Sequence, residues 1–133
     1  MEGEKRKILI VDDDTFLLDM YALKFSQNGF DVYTADSAMA ALDKLKENLN
    51  PDIILTDIIM PEMDGFEMLE QINTDKLCTN CVKIVLSNKS QQADIDRGNS
   101  LGVAGYIVKA NSTPLEVINQ VTDILAKKVV TAK

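Results

Sequence analysis

Two hydrophobic rhythms alternate along the chain. Short continuous apolar runs read as strands covered on both faces; between them, apolar residues recur every third or fourth position, as on helices. Lys7 to Val11 is the first run and leads into three aspartates. From Thr15, the spacing of Phe16, Leu17, Met20, Leu23, Lys24 and Phe25 predicts a helix that Asn28-Gly29 stops. Phe30 to Thr34 predicts a second strand. Ser37 caps a second helix with Ala38, Ala41, Leu42, Leu45 and Leu49 inward, broken by Asn50-Pro51. Ile53 to Thr56 is the third strand and ends at Asp57. Asp64 with Glu67 has capping-box spacing for a third helix carrying Phe66, Leu69 and Ile72. Val82 to Leu86 predicts the fourth strand, Ser90 to Ser100 a weak fourth helix containing Gly98, and Gly105 to Val108 the fifth strand. Thr113-Pro114-Leu115-Glu116 starts a fifth helix whose face is Leu115, Ile118, Val121, Thr122 and Leu125. Strand and helix thus alternate five times. The expected fold class is α/β: a doubly wound, five-stranded parallel sheet, (βα)5, with helices on both faces.

Composition narrows what this scaffold can do. The chain has 133 residues, 14 basic and 21 acidic side chains, a formal net charge of -7, 46% hydrophobic residues, and neither His nor Trp. One domain is expected at this length, over residues 6–128, with 129–133 as a tail or the start of a linker. Without His, a Ser-His-Asp triad, an imidazole zinc site and a phosphohistidine on this chain are all excluded. The acidity argues against direct nucleic-acid binding. No apolar stretch has the length of a signal peptide core or a membrane span, so a cytoplasmic location and no membrane contact are expected.

In open parallel sheets, ligands bind beyond the carboxyl ends of the strands. Those ends supply Asp12 and Asp13 after the first strand, Asp57 after the third, Ser87 after the fourth and Lys109 after the fifth. A single Asp after a strand is ordinarily a helix cap or a solvated loop residue. Four of five strands ending in suitable groups is a stronger signal. Three converging carboxylates repel one another unless a cation intervenes, and an all-oxygen cluster suits Mg2+. Ser87 and Lys109 add groups able to hold phosphoryl oxygens, and one carboxylate is a candidate nucleophile.

Ile-Leu-Ile-Val-Asp-Asp-Asp at 8–14, Asp57 followed by Met60-Pro61 and Asp64-Gly65, Ser87 after an apolar strand, and Gly105-Tyr-Ile-Val-Lys109 resemble the receiver domain of two-component response regulators. The resemblance covers residues 6–128 and implies the flavodoxin-like, CheY-like topology. It implies Asp57 as phosphoacceptor, fed by a histidine kinase, a histidine phosphotransfer protein or a small phosphodonor. It further implies Asp12, Asp13, Asp57 and the backbone carbonyl of Ile59 as the Mg2+ site, with Mn2+ as a substitute. Ser87 and Lys109 would contact the phosphoryl group, and Ser87 with Tyr106 would form the switch. The fourth helix, fifth strand and fifth helix would be the output face toward a target protein, an output domain or a phosphorylation-dependent dimer partner. Such a domain is not an enzyme with a separate substrate; it catalyses its own phosphorylation and dephosphorylation. Asp14 is expected to cap the first helix.

Several positions depart from that pattern. Ala110 follows Lys109 where the family usually has proline in a bond that tends to be cis; a cis bond before a non-proline costs about 2.5–4 kcal/mol, which leaves the geometry of this peptide open. Asn88 stands where a small residue is usual. Ile59 and Lys89 occupy positions that tune loss of phosphate; an apolar Ile59 shields the acyl phosphate from water, Lys89 either reaches the phosphoryl group or faces solvent, and slow self-dephosphorylation is expected. Cys78 and Cys81 lie outside the receiver pattern, in a loop rather than at a helix N-terminus, and two thiolates alone do not complete a zinc site.

Three other readings share these residues. A haloacid-dehalogenase-type phosphatase would use Asp12 as nucleophile, but its motif places Thr or Val where this chain has Phe16. A receiver fold kept only for protein binding would need no phosphorylation. A flavodoxin-like cofactor binder would need a glycine-rich phosphate loop after the first strand, where carboxylates stand instead.

Overall fold

The computed structural model describes residues 5–131; residues 1–4 and 132–133, including the end of the expected tail, lie outside the described residues. Five strands, β1 (Lys7–Val11), β2 (Asp31–Ala35), β3 (Ile53–Thr56), β4 (Val82–Ser87) and β5 (Gly105–Val108), form one parallel sheet in the order β2-β1-β3-β4-β5. Five helices alternate with them: α1 (Thr15–Gln27), α2 (Ala38–Lys46), α3 (Gly65–Thr74), α4 (Gln92–Ser100) and α5 (Pro114–Thr131), with a short 3-10 turn over Lys109–Asn111. This is the doubly wound architecture that the alternating periods predict.

Strand side chains alternate between two cores, one on each side of the sheet. Ile8, Ile10, Ile53, Leu55, Ile84 and Leu86 pack with α1 and α5 residues such as Phe25 and Val121. Leu9, Val11, Ile54 and Val85 pack on the other side with Leu42, Phe66 and Leu69 of α2 and α3. Burial on both faces is why β1 and β3 read as unbroken apolar runs. Order reverses at β1, since β2 leaves on one side and β3 on the other. That switch point opens a crevice at the carboxyl ends of β1 and β3.

Local chemistry sets the helix starts. Asp14 caps α1 by accepting from the Leu17 N–H, Ser37 caps α2 through the Ala40 N–H, and Asp64 forms a reciprocal capping box with Glu67 at α3. Thr113 and Glu116 exchange the equivalent pair of bonds at α5.

The structure corrects the helix faces and some boundaries. On α1 the buried residues are Leu18, Tyr21 and Phe25, while Phe16 and Leu23 are 79% and 57% exposed. Apolar residues occupy most of this helix's circumference, so spacing alone leaves the rotational phase open. On α5, Leu115 and Thr122 are exposed and Val117 is buried instead. α2 ends at Lys46 because Asn48 adopts a positive φ of 73°, and Leu49 packs on the core from the following turn. β2 and α4 begin at Asp31 and Gln92, slightly later than expected, and α5 continues to Thr131, into the stretch expected as tail. No helix among the described residues is long and apolar enough to cross a membrane.

Candidate functional site

Each chemically active side chain sits at, or just beyond, the carboxyl end of a strand. Asp12 follows β1, and its N–H donates to the Ala35 carbonyl at 3.2 Å, extending the β1–β2 ladder. The Asp57 N–H donates to the Val11 carbonyl at 2.9 Å, which extends the β1–β3 ladder in the same way. These bonds set the two carboxylates side by side at the switch point. Asp13, the next residue after Asp12, is exposed and turns its carboxylate to the same place. Carboxylate oxygens of Asp12, Asp13 and Asp57 lie within 4.8 Å of one another.

Asp12 and Asp57 are nearly buried, at 2% and 9% exposure. Asp12 Oδ1 accepts from the Asp14 N–H at 3.0 Å, and Asp57 Oδ1 accepts from the Ile58 N–H at 2.7 Å and the Ile59 N–H at 3.4 Å. Their remaining oxygens both accept from Lys109 Nζ, at 2.7 Å for Asp12 and 2.8 Å for Asp57. Burial raises the Asp12 carboxyl above its ordinary value, against the opposing pull of Lys109 and the Asp14 amide. For Lys109 burial works against the charged form, but the hydrogen bonds to Asp12 and Asp57 outweigh it and raise the ammonium. One cation therefore compensates two anions. With Asp13 included, the cluster keeps an excess of negative charge on oxygen donors only. This donor set fits a hard divalent cation such as Mg2+, and Asp12, Asp13 and Asp57 are the side chains able to hold it.

Three features beneath the carboxylates have no sequence signal of their own. The Thr56 hydroxyl donates to the Asp57 backbone carbonyl at 2.8 Å. The Gly65 N–H donates to the Ile58 carbonyl at 2.8 Å, so the start of α3 closes against the loop after β3. A Cβ on Gly65 would overlap the Asp57 carbonyl oxygen and lie 2.9 Å from Ile58 Cα, so only glycine allows that approach. Asp64-Gly65 is visible as a motif, but its contact with the loop after β3 is a tertiary fact.

Ser87 closes the opposite wall. It is fully buried, and its Oγ accepts from the Lys89 N–H at 3.2 Å. Lys89 does not turn its ammonium into the acid cluster; it pairs with Asp94 in the first turn of α4 at 3.3 Å. The Tyr106 hydroxyl donates to the Lys89 carbonyl, and its ring packs on the α2–α3 side of the sheet beside Leu101 and Val103. Burial, followed by the charges of Asp94 and Asp57, pushes the Tyr106 phenol up to about 12. Ile59 is 62% exposed at the rim. The Lys109–Ala110 peptide is trans, and the Ala110 N–H donates to Asn88 Oδ1 at 2.7 Å.

Cys78 and Cys81 lie elsewhere, in the turn before β4 at the amino end of the sheet. The Cys81 thiol donates to the Cys78 carbonyl at 2.9 Å, and the Cys78 thiol to the Pro51 carbonyl at 3.5 Å. Both are free, and among the described residues only Asp12, Asp13 and Asp57 form a group suited to a metal.

Comparison with known proteins agrees with this geometry. The family model described as the response regulator receiver domain matches residues 8–122. The alkaline phosphatase synthesis transcriptional regulatory protein PhoP of Bacillus subtilis is 33% identical over 127 residues, covering 96% of this chain and 51% of that protein. The response regulator SaeR of Staphylococcus aureus is 30% identical over 120 residues, covering 90% of this chain and 50% of SaeR. The chain thus spans about half the length of these curated relatives. Among solved structures, a CheY-like response regulator receiver domain protein from Methanospirillum hungatei JF-1 superposes with a TM-score of 0.85 at 27% identity, covering 96% of this chain and 99% of that one. The receiver domain of the response regulator NarL from Mycobacterium tuberculosis gives 0.80 at 28% identity, covering 91% and 96%. The chain belongs to the response regulator receiver domain family.

Proposed function

We propose that this chain is the phosphoacceptor of a two-component phosphorelay, with Asp57 as the group that is phosphorylated. The observation that carries the reading is the Lys109 ammonium held between Asp12 and Asp57, beside a third carboxylate on Asp13. An Asp57 oxygen attacks the phosphorus of a partner's phosphohistidine. The P–N bond breaks as the P–O bond forms, and the imidazole leaves. Mg2+ held by Asp12, Asp13, Asp57 and the Ile59 carbonyl would neutralise the crowded oxygens, and Mn2+ would substitute. Lys109, already on Asp57, would pair with the new phosphoryl oxygens, and Ser87 would donate its hydroxyl to them. The domain itself catalyses both gain and loss of the phosphoryl group.

The partner that donates is a histidine kinase or a histidine phosphotransfer protein, acting in the cytoplasm. Phe16 at the start of α1, Ile59 after β3 and Leu115 at the start of α5 are exposed apolar residues at the carboxyl edge of the sheet, suited to docking such a protein around Asp57. On the output side, Ser87 leaves its bond to Lys89 to meet the phosphoryl group, and the change passes through Lys89 to Tyr106 and the α4-β5-α5 face. That face would engage a target protein, an output domain or a second copy, with no direct nucleic-acid contact by this domain. An apolar Ile59 would hinder attacking water, and Lys89 is committed to Asp94, so the acyl phosphate should be long-lived.

Incubation with acetyl phosphate and Mg2+, followed by mapping of the acyl phosphate, tests the reading. Label on Asp57 that is lost in Asp57→Asn supports it. Label on Asp12 would point to phosphatase-type chemistry, and no label from any donor would favour a module that only binds protein. A phosphorylated lifetime of seconds in Mg2+ would contradict the shielding role of Ile59.

A further inference from the structure

Asn88 and Ala110 both depart from the family pattern, and the fold joins them. β4 and β5 pair as far as Ser87↔Val108, where the backbone ladder ends. One residue past Ser87, the Asn88 side-chain oxygen accepts the N–H of Ala110, one residue past Lys109, at 2.7 Å. The contact needs both identities at once. A proline at 110 has no N–H to give, and a small apolar side chain at 88 has no oxygen to receive it. The two residues that flank this contact, Ser87 and Lys109, are the hydroxyl and the ammonium of the site.

We propose that Asn88 is a positioning residue for the phosphoryl chemistry: its carboxamide ties the Ser87 loop to the Lys109 loop, so that the two groups meet the phosphoryl oxygens as one unit. The inference rests on the reading of Asp57 as phosphoacceptor and goes beyond it. Both Asn88 and Ala110 are exposed, so water satisfies either group once the bond is lost, and the fold survives without it. What the bond supplies is relative position. Without it the Lys109–Asn111 turn keeps its own closure, from the Ser112 N–H to the Lys109 carbonyl at 3.2 Å, but no longer follows the loop after β4. Ser87 still accepts from Lys89, which connects it only to α4 and Tyr106.

A double-mutant cycle tests the link. Asn88→Ala removes the acceptor, and a backbone ester made by placing lactic acid at position 110 removes the donor; the ester also weakens the Lys109 carbonyl, a change that the ester and combined variants share and that the cycle cancels. The rate of acyl phosphate formation from acetyl phosphate should fall about fivefold in each, the worth of one ordinary hydrogen bond. The combined variant should be no slower than the slower single variant. Mg2+ affinity by calorimetry should be unchanged in all three, and amide exchange at Ala110 should quicken in Asn88→Ala. Asn88→Leu, which keeps the length of the side chain without its oxygen, should reproduce Asn88→Ala. Losses that multiply in the combined variant, or a parental rate in Asn88→Ala, would overturn the proposal. An unlabelled parent chain overturns the phosphoacceptor reading and this proposal together; a labelled parent with an equally fast Asn88→Ala overturns this proposal alone.

Discussion

The two halves of the site are held by different forces. Asp12 and Asp57 extend from β1 and β3, whose Ile8, Leu9, Ile53, Ile54 and Leu55 are fully buried. Apolar packing on both faces fixes where those carboxylates stand. Lys109 and the loop that follows the buried Ser87 face the other edge, where α4 buries only Gly98 and β5 buries only Ile107. That edge is tied on by polar contacts: Arg97 to Glu70 at 3.1 Å and over the Phe66 ring at 4.8 Å, Asn73 to the Leu101 carbonyl at 3.0 Å, and Tyr106 to the Lys89 carbonyl. Hydrogen bonds and exposed ion pairs exchange for water at small cost, whereas deep apolar packing does not. A fixed anionic half beside an adjustable half is what a domain needs if it is to receive a charge in one place and change a surface in another.

The sharpest way to break this comparison is to remove apolar contact on each side. Leu55→Ala in β3 should lower stability by about 2–5 kcal/mol in chemical denaturation, whereas Ile95→Ala in the half-buried face of α4 should cost less than about 1.5 kcal/mol. Equal losses would mean that α4 is as much core as β3. Gly65→Ala comes next. The new Cβ meets backbone, which cannot yield as a side chain would, so a loss of about 1–3 kcal/mol is expected, with weaker Mg2+ binding by calorimetry because Asp57 must move.

Tyr106 gives a smaller effect with a definite sign. Its phenol titrates at about 12 in the fold and near 10.0 when unfolded. The unfolded chain therefore loses that proton first, and stability present below pH 10.0 is lost as pH rises toward 12. Tyr106→Phe should remove that part of the alkaline loss, read as a flatter unfolding midpoint above pH 10; an unchanged slope would show that the phenol is not held protonated. The smallest effect is expected at Gly98. A Cβ there lies 3.2 Å from the Tyr106 ring and 3.3 Å from Val103, while alanine favours the helix by about 1 kcal/mol. The net change in stability of Gly98→Ala should be within about 0.5 kcal/mol of zero. The ring resonances of Tyr106 should nevertheless shift, because side chains at this edge give way; a large loss of stability would show that they do not.

Much of this was readable from residue order. Four of the five strand ends name Asp12, Asp13, Asp57, Ser87 and Lys109 because a parallel sheet sends all its carboxyl ends to one edge. The helix caps at Asp14, Ser37, Asp64 and Thr113 were equally legible, since capping bonds reach only three residues. The core faces of α1 and α5 were less so. Phe16, Leu23 and Leu115 are as apolar as the residues that turned inward, and only packing against the sheet selects among them. The Asn88–Ala110 bond was invisible for another reason: each residue departs from the family pattern alone, but they stand 22 positions apart and nothing local joins them.

The sequence by itself determined the period of each element, hence the doubly wound sheet, the convergence of three carboxylates with a hydroxyl and a lysine, and the exclusion of a phosphohistidine within these 133 residues. These follow from local rules: side-chain period, cap chemistry and the direction of parallel strands. Tertiary structure alone decided that Lys109 spans Asp12 and Asp57, that Lys89 turns to Asp94, and that Gly65 lets α3 close on the Asp57 loop. Those outcomes depend on distances between residues far apart in the chain, which only the packing of the sheet and its helices sets.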